Sequence, residues 1–128
     1  MPETDTHDRA YMRERLREEI ARARRYDRRF AVLIFEALPS SDGMPIRRKV
    51  EVALSAIRTT VRPSDVVGRV FEDTILLLLV ETDLRGTKDA LLRIRNRVSR
   101  YAGNWRVSAY AFPEQAKLIE GLPMLAAA

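Results

Sequence analysis

The side chains that could support chemistry in this 128-residue chain are carboxylates and guanidinium groups. There is no cysteine, which excludes disulfides, thiolate nucleophiles and thiolate metal sites. The one histidine, His7, lies in a polar N-terminal stretch and lacks a partner, so we expect no catalytic or metal-binding role for it. Candidate sites must therefore be sought among the acids and the arginines.

Two acids, Glu36 and Asp73, adjoin apolar runs that are typical of strands. Two hard oxygen ligands can suffice for Mg²⁺ when water completes the coordination shell, so a divalent ion shared by this pair is one hypothesis. The alternative is structural, because aspartate favours turns by bonding to nearby backbone and a glutamate at a strand end can simply face solvent. We predict no metal site and keep Glu36 and Asp73 as residual candidates.

The stretch Arg62-Pro63-Ser64-Asp65 places a guanidinium three residues before a carboxylate. A guanidinium can donate two parallel hydrogen bonds to a guanine edge or to a phosphate, and a carboxylate can accept from the N–H groups of guanine. The same four residues are also an ordinary turn between a helix and a strand. Two interpretations therefore stay open for Arg62 and Asp65, a ligand-binding pair or a structural turn.

The net charge limits the classes of partner. A formal charge of +5 comes almost entirely from arginine, and a basic balance can indicate a nucleic acid. These arginines are interleaved with acids along the chain, which favours a solvated surface and argues against a nucleic-acid partner. No apolar run approaches the roughly 20 residues that cross a bilayer, and the N-terminus lacks a signal-peptide pattern. We expect no membrane span and a cytoplasmic location.

Charge and apolar periodicity predict an N-terminal helix from about Asp8 to Tyr26, in which opposite charges recur four residues apart. Its apolar stripe is narrow and consists of Met12, Leu16, Ile20 and Ala23. Such a stripe can rest on the helix's own domain or form a dimer seam, and the sequence does not choose between the two.

Short apolar runs predict four strands, at Phe30–Leu38, Val66–Val70, Ile75–Val80 and Trp105–Phe112. Helical spacing predicts a second helix between Ile46 and Val61. A third helix would be capped by Thr82 or Asp83 and would turn Leu84, Leu91, Ile94, Val98 and Tyr101 inward. A short final helix would follow Pro113.

The order of these elements predicts the α/β (α+β) class. It is a ferredoxin-like βαββαβ core in which two helices cover one face of a mainly antiparallel sheet, with an N-terminal helix and a short C-terminal helix added. We predict one domain over residues 1–128, with a polar terminus and N-terminal helix in 1–27, the core in 28–122 and a tail in 123–128.

Several stretches, in this order, resemble bacterial GGDEF domains, whose nucleotidyl-cyclase fold elaborates the same core. The first is REEIARARRYDRRFAVLIFE, similar to the family's first helix, arginine-rich exit and first strand. The second and strongest is VRPSDVVGRVFEDTILLLLVETD, similar to its Arg-x-x-Asp turn, signature hairpin and aliphatic strand. The others are RVSAYAF and PEQAKLIEGL, similar to its serine-containing strand and the short helix that follows.

Active members of the family join two GTP molecules into cyclic di-GMP with metal ions that carboxylates hold. The resemblance places the signature hairpin on Phe71, Glu72, Asp73 and Thr74. Two glycines that let the nucleotide approach the backbone are replaced by a phenyl ring and an acid, and the second acid of the signature is replaced by Thr74. Only Asp73 keeps the expected acidic position, so the resemblance implies a degenerate site.

The resemblance also places an Asp-x-Asp motif at the end of the first strand, where Glu36 is the only acid. The family then has a short helix with Phe-Lys and Asn-Asp pairs for phosphate and guanine. Here the connection from Ala37 to Pro45 is about six residues short by this alignment and contains neither pair. The parts that would hold GTP are therefore expected to be missing.

In the family, an Arg-x-x-Asp pair five residues before the signature often forms an inhibitory site for cyclic di-GMP, and Arg62 and Asp65 keep this spacing. We therefore predict a catalytically inactive GGDEF-like signalling module with no catalytic residue and no cofactor, which acts on a protein partner or as a homodimer. The alternative is a cyclic di-GMP receptor that uses Arg62 and Asp65. An active diguanylate cyclase is the least favoured hypothesis.

Overall fold

The computed structural model describes residues 8–39, 42–101 and 103–126. His7 and the rest of the terminal stretch 1–7 lie outside the described residues. Helices and strands follow one another in an order that contains the predicted βαββαβ core. They are α1 (Arg9–Tyr26), β1 (Phe30–Ala37), α2 (Ile46–Arg58), β2 (Val66–Phe71), β3 (Thr74–Val80), α3 (Leu84–Tyr101), β4 (Trp105–Phe112), α4 (Ala116–Glu120) and α5 (Pro123–Ala126).

Helix α1 begins where its sequence supplies a cap. The Asp8 carboxylate accepts a hydrogen bond from the backbone N–H of Tyr11, at 2.9 Å, and satisfies one of the free donors of the first turn. The helix ends at Asp27, which adopts the left-handed conformation with φ of 55°. Its predicted apolar stripe is buried against the sheet of the same chain, which favours packing on its own domain over a dimer seam for these side chains.

The sheet has the strand order β2-β3-β1-β4, and all three of its pairings are antiparallel. Strand β1 lies between β3 and β4, so that Phe30 is paired with Val80 on one side and with Phe112 on the other. This is the ferredoxin-like arrangement that the element order predicted. Strands β2 and β4 form the edges.

Each face of the sheet is covered by helices. Alternate residues of β1 point to opposite faces, so Leu33 and Phe35 meet α2 and α3 while Phe30 and Val32 meet α1. Helices α4 and α5 lie on the α1 face, where Ile119, Met124 and other side chains complete the core. The predicted two-helix layer is present, and a second layer covers the opposite face.

One expectation about the helices was partly wrong and another was wrong: the inward face of α3 was predicted correctly at Ile94 and Val98 but not at Leu84 and Tyr101, and residues 123–126 form a helix. The face of α3 that packs inward consists of Thr87, Ala90, Ile94 and Val98, whereas Leu84 and Tyr101 are exposed and Leu91 is half-buried. Small side chains at two of these positions let the helix approach the sheet closely. Residues 123–126, assigned to a tail, form α5, with Met124 and Leu125 buried; the last two residues lie outside the described part.

The start of α3 matches its sequence signal, whereas α2 ends at Arg58, before the predicted limit at Val61. The Asp83 carboxylate accepts from the Gly86 N–H at 2.8 Å, so Asp83 caps α3 as one of the two predicted candidates. Within the described residues, no helix is both long enough and apolar enough to cross a membrane.

Candidate functional site

The four residues Phe71, Glu72, Asp73 and Thr74 form the turn between β2 and β3. Phe71 pairs with Thr74, after a shift of register between Arg69 and Phe71. Arg69 donates to the carbonyl oxygen of Glu72 from Nε at 3.1 Å and from Nη2 at 2.7 Å. The turn is therefore held through its backbone, and the side chains of Glu72 and Asp73 are exposed.

The ring of Phe71 lies against the sheet face that α1 covers. It is half-buried on the core there, and the Arg9 guanidinium lies 5.0 Å from the ring centroid. Beside the ring is a cavity of about 200 Å³, whose lining includes Glu36, Thr74 and, from α5, Met124. The ring and α5 together cover the end of the sheet at which the hairpin lies.

The structure brings the two residual metal candidates to neighbouring positions. Glu36 lies opposite Thr74 in the β1–β3 register, and the Ala37 N–H donates to the backbone oxygen of Asp73 at 2.9 Å. One Asp73 carboxylate oxygen already accepts the Thr74 hydroxyl at 2.9 Å. Within the described residues, no group of three or more His, Cys, Asp or Glu side chains could hold a metal ion. Glu36 and Asp73 are thus close across the β1–β3 pairing, and the acids of the Asp-x-Asp motif and of the second signature position that the resemblance expects are replaced by other residues.

The predicted pair Arg62 and Asp65 does come together. Arg62 donates to the Asp65 carboxylate from Nε at 3.2 Å and from Nη2 at 3.0 Å, and its backbone N–H donates to the same group at 2.9 Å. Nη2 also donates to the Val80 carbonyl oxygen at 2.7 Å and lies 3.0 Å from the Thr82 hydroxyl oxygen. These contacts join the turn after α2 to the end of β3.

A pocket of about 590 Å³ opens beside this pair, a volume within the usual range for small-ligand sites. Charges of both signs line the pocket. Arg28, Arg29 and Arg93 contribute positive charge, and acids such as Glu81 and Asp89 contribute negative charge. Sequence reasoning did not find Arg29 or Arg93, which come from the connection between α1 and β1 and from the middle of α3. No local spacing links them to Arg62, so only the tertiary structure brings them together.

Lys49 is a third residue that sequence reasoning missed. Its side chain, on α2, is 1% exposed, and its ammonium donates to the carbonyl oxygens of Leu38 and, at 2.9 Å, of Asn104. The nitrogen also lies 5.7 Å from the centroid of the Trp105 ring system. Burial lowers the pKa of Lys49, and the Asp42 carboxylate opposes that shift.

The Lys49 contacts hold the short connection after β1 against the loop between α3 and β4. The ammonium joins Leu38, at the start of that connection, to Asn104, in the loop between α3 and β4. The Leu38 N–H also donates to Asn104 O at 3.0 Å. A signal for burial was present, because Lys49 precedes the buried Ala53 by four residues and shares its face of the helix.

Comparison with solved structures shows the fold. A diguanylate cyclase protein from Thermotoga maritima is similar over 89% of this chain and 87% of its own, with a TM-score of 0.75 and 20% identity. Diguanylate cyclase SiaD from Pseudomonas aeruginosa, solved with its activator SiaC, is similar over 83% of this chain and 46% of its own, with a TM-score of 0.67 and 23% identity.

A third similar structure is the GGDEF domain of DgcB from Caulobacter crescentus, solved in complex with c-di-GMP. The similarity covers 83% of this chain and 71% of that one, with a TM-score of 0.63 and 14% identity. No family model matches the sequence, and no curated protein matches it. The architecture and these structural similarities agree: this protein has the fold of the GGDEF domains of diguanylate cyclases.

Proposed function

We propose that this protein is a catalytically inactive GGDEF-like signalling module, located in the cytoplasm, which acts through contacts with another protein or with a second copy of itself. The observation that carries the proposal is the hairpin between β2 and β3. At the positions where the family resemblance expects two glycines, the chain has a phenyl ring that packs on the sheet and an exposed acid. A triphosphate would meet steric bulk from Phe71 and repulsion from Glu72.

Two further features support the absence of turnover. Glu36 is the only acid where the resemblance places an Asp-x-Asp motif, and among the described residues Glu36 and Asp73 belong to no group of three or more side chains that could hold a metal ion. The connection after β1 is short, and the buried ammonium of Lys49 binds its first residue to the loop before β4. Neither the two acids nor the short connection supplies the groups that the family resemblance associates with binding and activation of GTP.

Action through a protein partner is supported by one structurally similar protein. Diguanylate cyclase SiaD, 46% of which is covered by the similarity, was solved in complex with its activator SiaC, so a protein that contains a domain of this fold can form a complex with another protein. A module without turnover can still transmit a signal if its surface binds differently to two states of a partner.

The second candidate function is a cyclic di-GMP receptor. It is favoured by the pocket of about 590 Å³ at Arg62 and Asp65, and by the DgcB domain, which was solved with that nucleotide. Against it, the Arg62 guanidinium and the Asp65 carboxylate already satisfy each other, so binding would require them to exchange partners. This cost ranks the receptor below the inactive module.

Incubation with GTP and Mg²⁺, followed by chromatography of the products, tests the proposal, with an active diguanylate cyclase run in parallel as positive control. We expect no cyclic di-GMP above background, and appreciable product would overturn the proposal. Calorimetric titration with cyclic di-GMP separates the two candidates. Heat at micromolar ligand that Arg62→Ala abolishes would establish the receptor, whereas no heat at tens of micromolar ligand would exclude it.

A further inference from the structure

Helix α3 has a distinctive charge. Its 18 residues include one acid, Asp89, and six basic side chains. The six are Arg85, Lys88, Arg93, Arg95, Arg97 and Arg100. The helix therefore has a formal charge of +5, from six positive charges and one negative charge.

Four of the seven arginines of α1 have polar partners in their own domain. Arg15 and Arg22 bind the buried Glu19 carboxylate, Arg24 forms an ion pair with Glu120, and Arg17 donates to a backbone carbonyl oxygen of α5. These arginines contribute to the fold, so the positive charge of α1 does not by itself indicate an external partner.

The basic side chains of α3 differ in this respect. Arg97 donates to the Thr59 hydroxyl and lies over the Tyr101 ring, but it contacts no carboxylate. Within residues 8–39, 42–101 and 103–126, none of the six forms an ion pair with an acid. Arg93 lines the pocket together with Glu81 and Asp89, and the other side chains carry their charge without a carboxylate at ion-pair distance among those residues.

This arrangement is unfavourable for an isolated helix. Arg85 lies in the first turn, at the positive end of the helix dipole, where a cation is disfavoured. Arg85 and Lys88 are three residues apart, and Arg93 and Arg97 are four apart, so like charges face each other along the surface. A negatively charged surface bound to α3 would add attractions that offset both of these unfavourable interactions.

One apolar side chain projects from the same outward face. Leu92 is 52% exposed, and it lies four residues after Lys88 and three residues before Arg95. An apolar group framed by cations is typical of protein interfaces, in which arginine is enriched and a polar rim surrounds a buried centre. The phosphate backbone of a nucleic acid has no apolar surface against which the Leu92 side chain could pack. A single leucine would also insert little apolar area into a bilayer.

We propose that the outward face of α3, formed by Arg85, Lys88, Leu92 and Arg95, docks on an acidic surface of a partner protein that has an apolar socket for Leu92. This inference rests on the proposed function, for which it names the surface and the chemistry of the partner. Arg93 is left out because it lines the pocket at Arg62.

Fluorescence anisotropy with a defined probe tests the proposal on the whole chain. The probe is a labelled helical peptide of about 21 residues with glutamates around one leucine stripe, and the ionic strength is about 0.15 M so that surface electrostatics are not exaggerated. A DNA duplex and vesicles of phosphatidylcholine with phosphatidylglycerol are titrated in parallel. Circular dichroism confirms that every variant is folded.

Charge reversal supplies the first comparison. The triple variant Arg85→Glu, Lys88→Glu, Arg95→Glu should weaken binding of the peptide at least about tenfold. The matched control reverses three exposed cations on other elements, Arg25, Arg106 and Lys117, and should leave binding within about twofold. Equal weakening by the two triple variants would show attraction to net charge alone and would overturn the proposal.

Removal of the apolar group supplies the second comparison. Leu92→Ala should weaken peptide binding about fivefold to tenfold, whereas Leu118→Ala, at an equally exposed leucine of α4, should not. If the protein binds DNA or vesicles more tightly than the peptide, and Leu92→Ala does not weaken that binding, the partner carries phosphate groups and the proposal of a protein partner is wrong. No binding of the peptide at high micromolar concentration would overturn the proposal. Turnover of GTP would refute the proposed lack of activity but would not change these binding comparisons. Failure of the proposed function and failure of the docking proposal can therefore be distinguished.

Discussion

The guanidinium of Arg62 and the carboxylate of Asp65 form two parallel hydrogen bonds, at 3.2 and 3.0 Å. The Asp65 side chain is 3% exposed, while that of Arg62 is half exposed. Since Nη2 of Arg62 also donates to Val80 O, the pair ties the turn after α2 to the end of β3. Arg62 and Asp65 therefore contribute to the fold, whether or not they also bind a ligand.

Substitution Arg62→Ala should lower the free energy of unfolding by about 1–3 kcal/mol. The Asp65 carboxylate would remain buried without its cation, and the solvent exposure of Arg62 keeps the loss below that of a fully buried pair. Urea denaturation measures the change. Arg106→Ala, at an exposed arginine of β4, is the control and should change stability by less than about 0.5 kcal/mol. Equal effects of the two substitutions would contradict a structural role for the pair.

Substitution Glu19→Gln should destabilise the protein by about 1–3 kcal/mol, because the buried carboxylate binds both Arg15 and Arg22 and a neutral amide cannot replace those ion pairs. The neighbouring Glu18 is exposed, so Glu18→Gln provides a matched control in the same helix. Thermal and urea unfolding of the two variants should differ clearly. If they behave alike, the ion pairs of Glu19 within α1 do not contribute to stability.

Substitution Lys49→Met should lower the free energy of unfolding by about 1–2 kcal/mol. The side chain keeps most of its volume, but the carbonyl oxygen of Leu38 loses its donor. Hydrogen exchange should become faster at the Leu38 amide, which donates to Asn104 O beside the ammonium. An unchanged exchange rate there would show that Lys49 does not close the connection after β1.

The lowered pKa of Lys49 predicts a dependence of stability on pH. Between this lowered pKa and the ordinary value of 10.5, the unfolded chain binds a proton that the folded protein has released. The free energy of unfolding contributed by Lys49 must then rise as the pH increases through that interval. Subtracting the unfolding curves of Lys49→Met from those of the unsubstituted protein isolates the effect. A flat difference up to pH 10.5 would refute the shift.

Substitution Met124→Ala should destabilise the protein by about 2–4 kcal/mol, because Met124 is buried in the core and its loss enlarges the cavity beside Phe71. Leu118→Ala, at an exposed leucine of α4, is the control and should have little effect. Urea denaturation of both variants tests whether α5 belongs to the core or is the tail that its sequence indicated.

Much of the fold could be predicted because apolar periodicity reports burial directly. The limits of β4 at Trp105 and Phe112 and the start of α2 at Ile46 agree with the sequence prediction. The inward face of α3 could not be predicted from its large apolar residues. Close approach of the helix to the sheet favours Thr87 and Ala90, and this requirement arises from the tertiary structure.

Only part of the candidate site could be predicted from the sequence. The spacing of Arg62 and Asp65 indicated a pair, but Val80 and Thr82, which bind the same guanidinium, lie on the other side of the hairpin. Lysine is seldom buried, and the sequence analysis assigned no role to Lys49. Its position four residues before Ala53 indicates the buried face of α2, but the two backbone oxygens that accept from its ammonium converge only in the folded chain.

The central position of β1 has a consequence during synthesis. Phe30 pairs with Val80 on one edge of the strand and with Phe112 on the other, and both partners leave the ribosome much later. Pairings between such distant segments form slowly. Until then the apolar strand is a template for association with other nascent chains. The polypeptide must therefore be shielded from its neighbours until translation has passed Phe112.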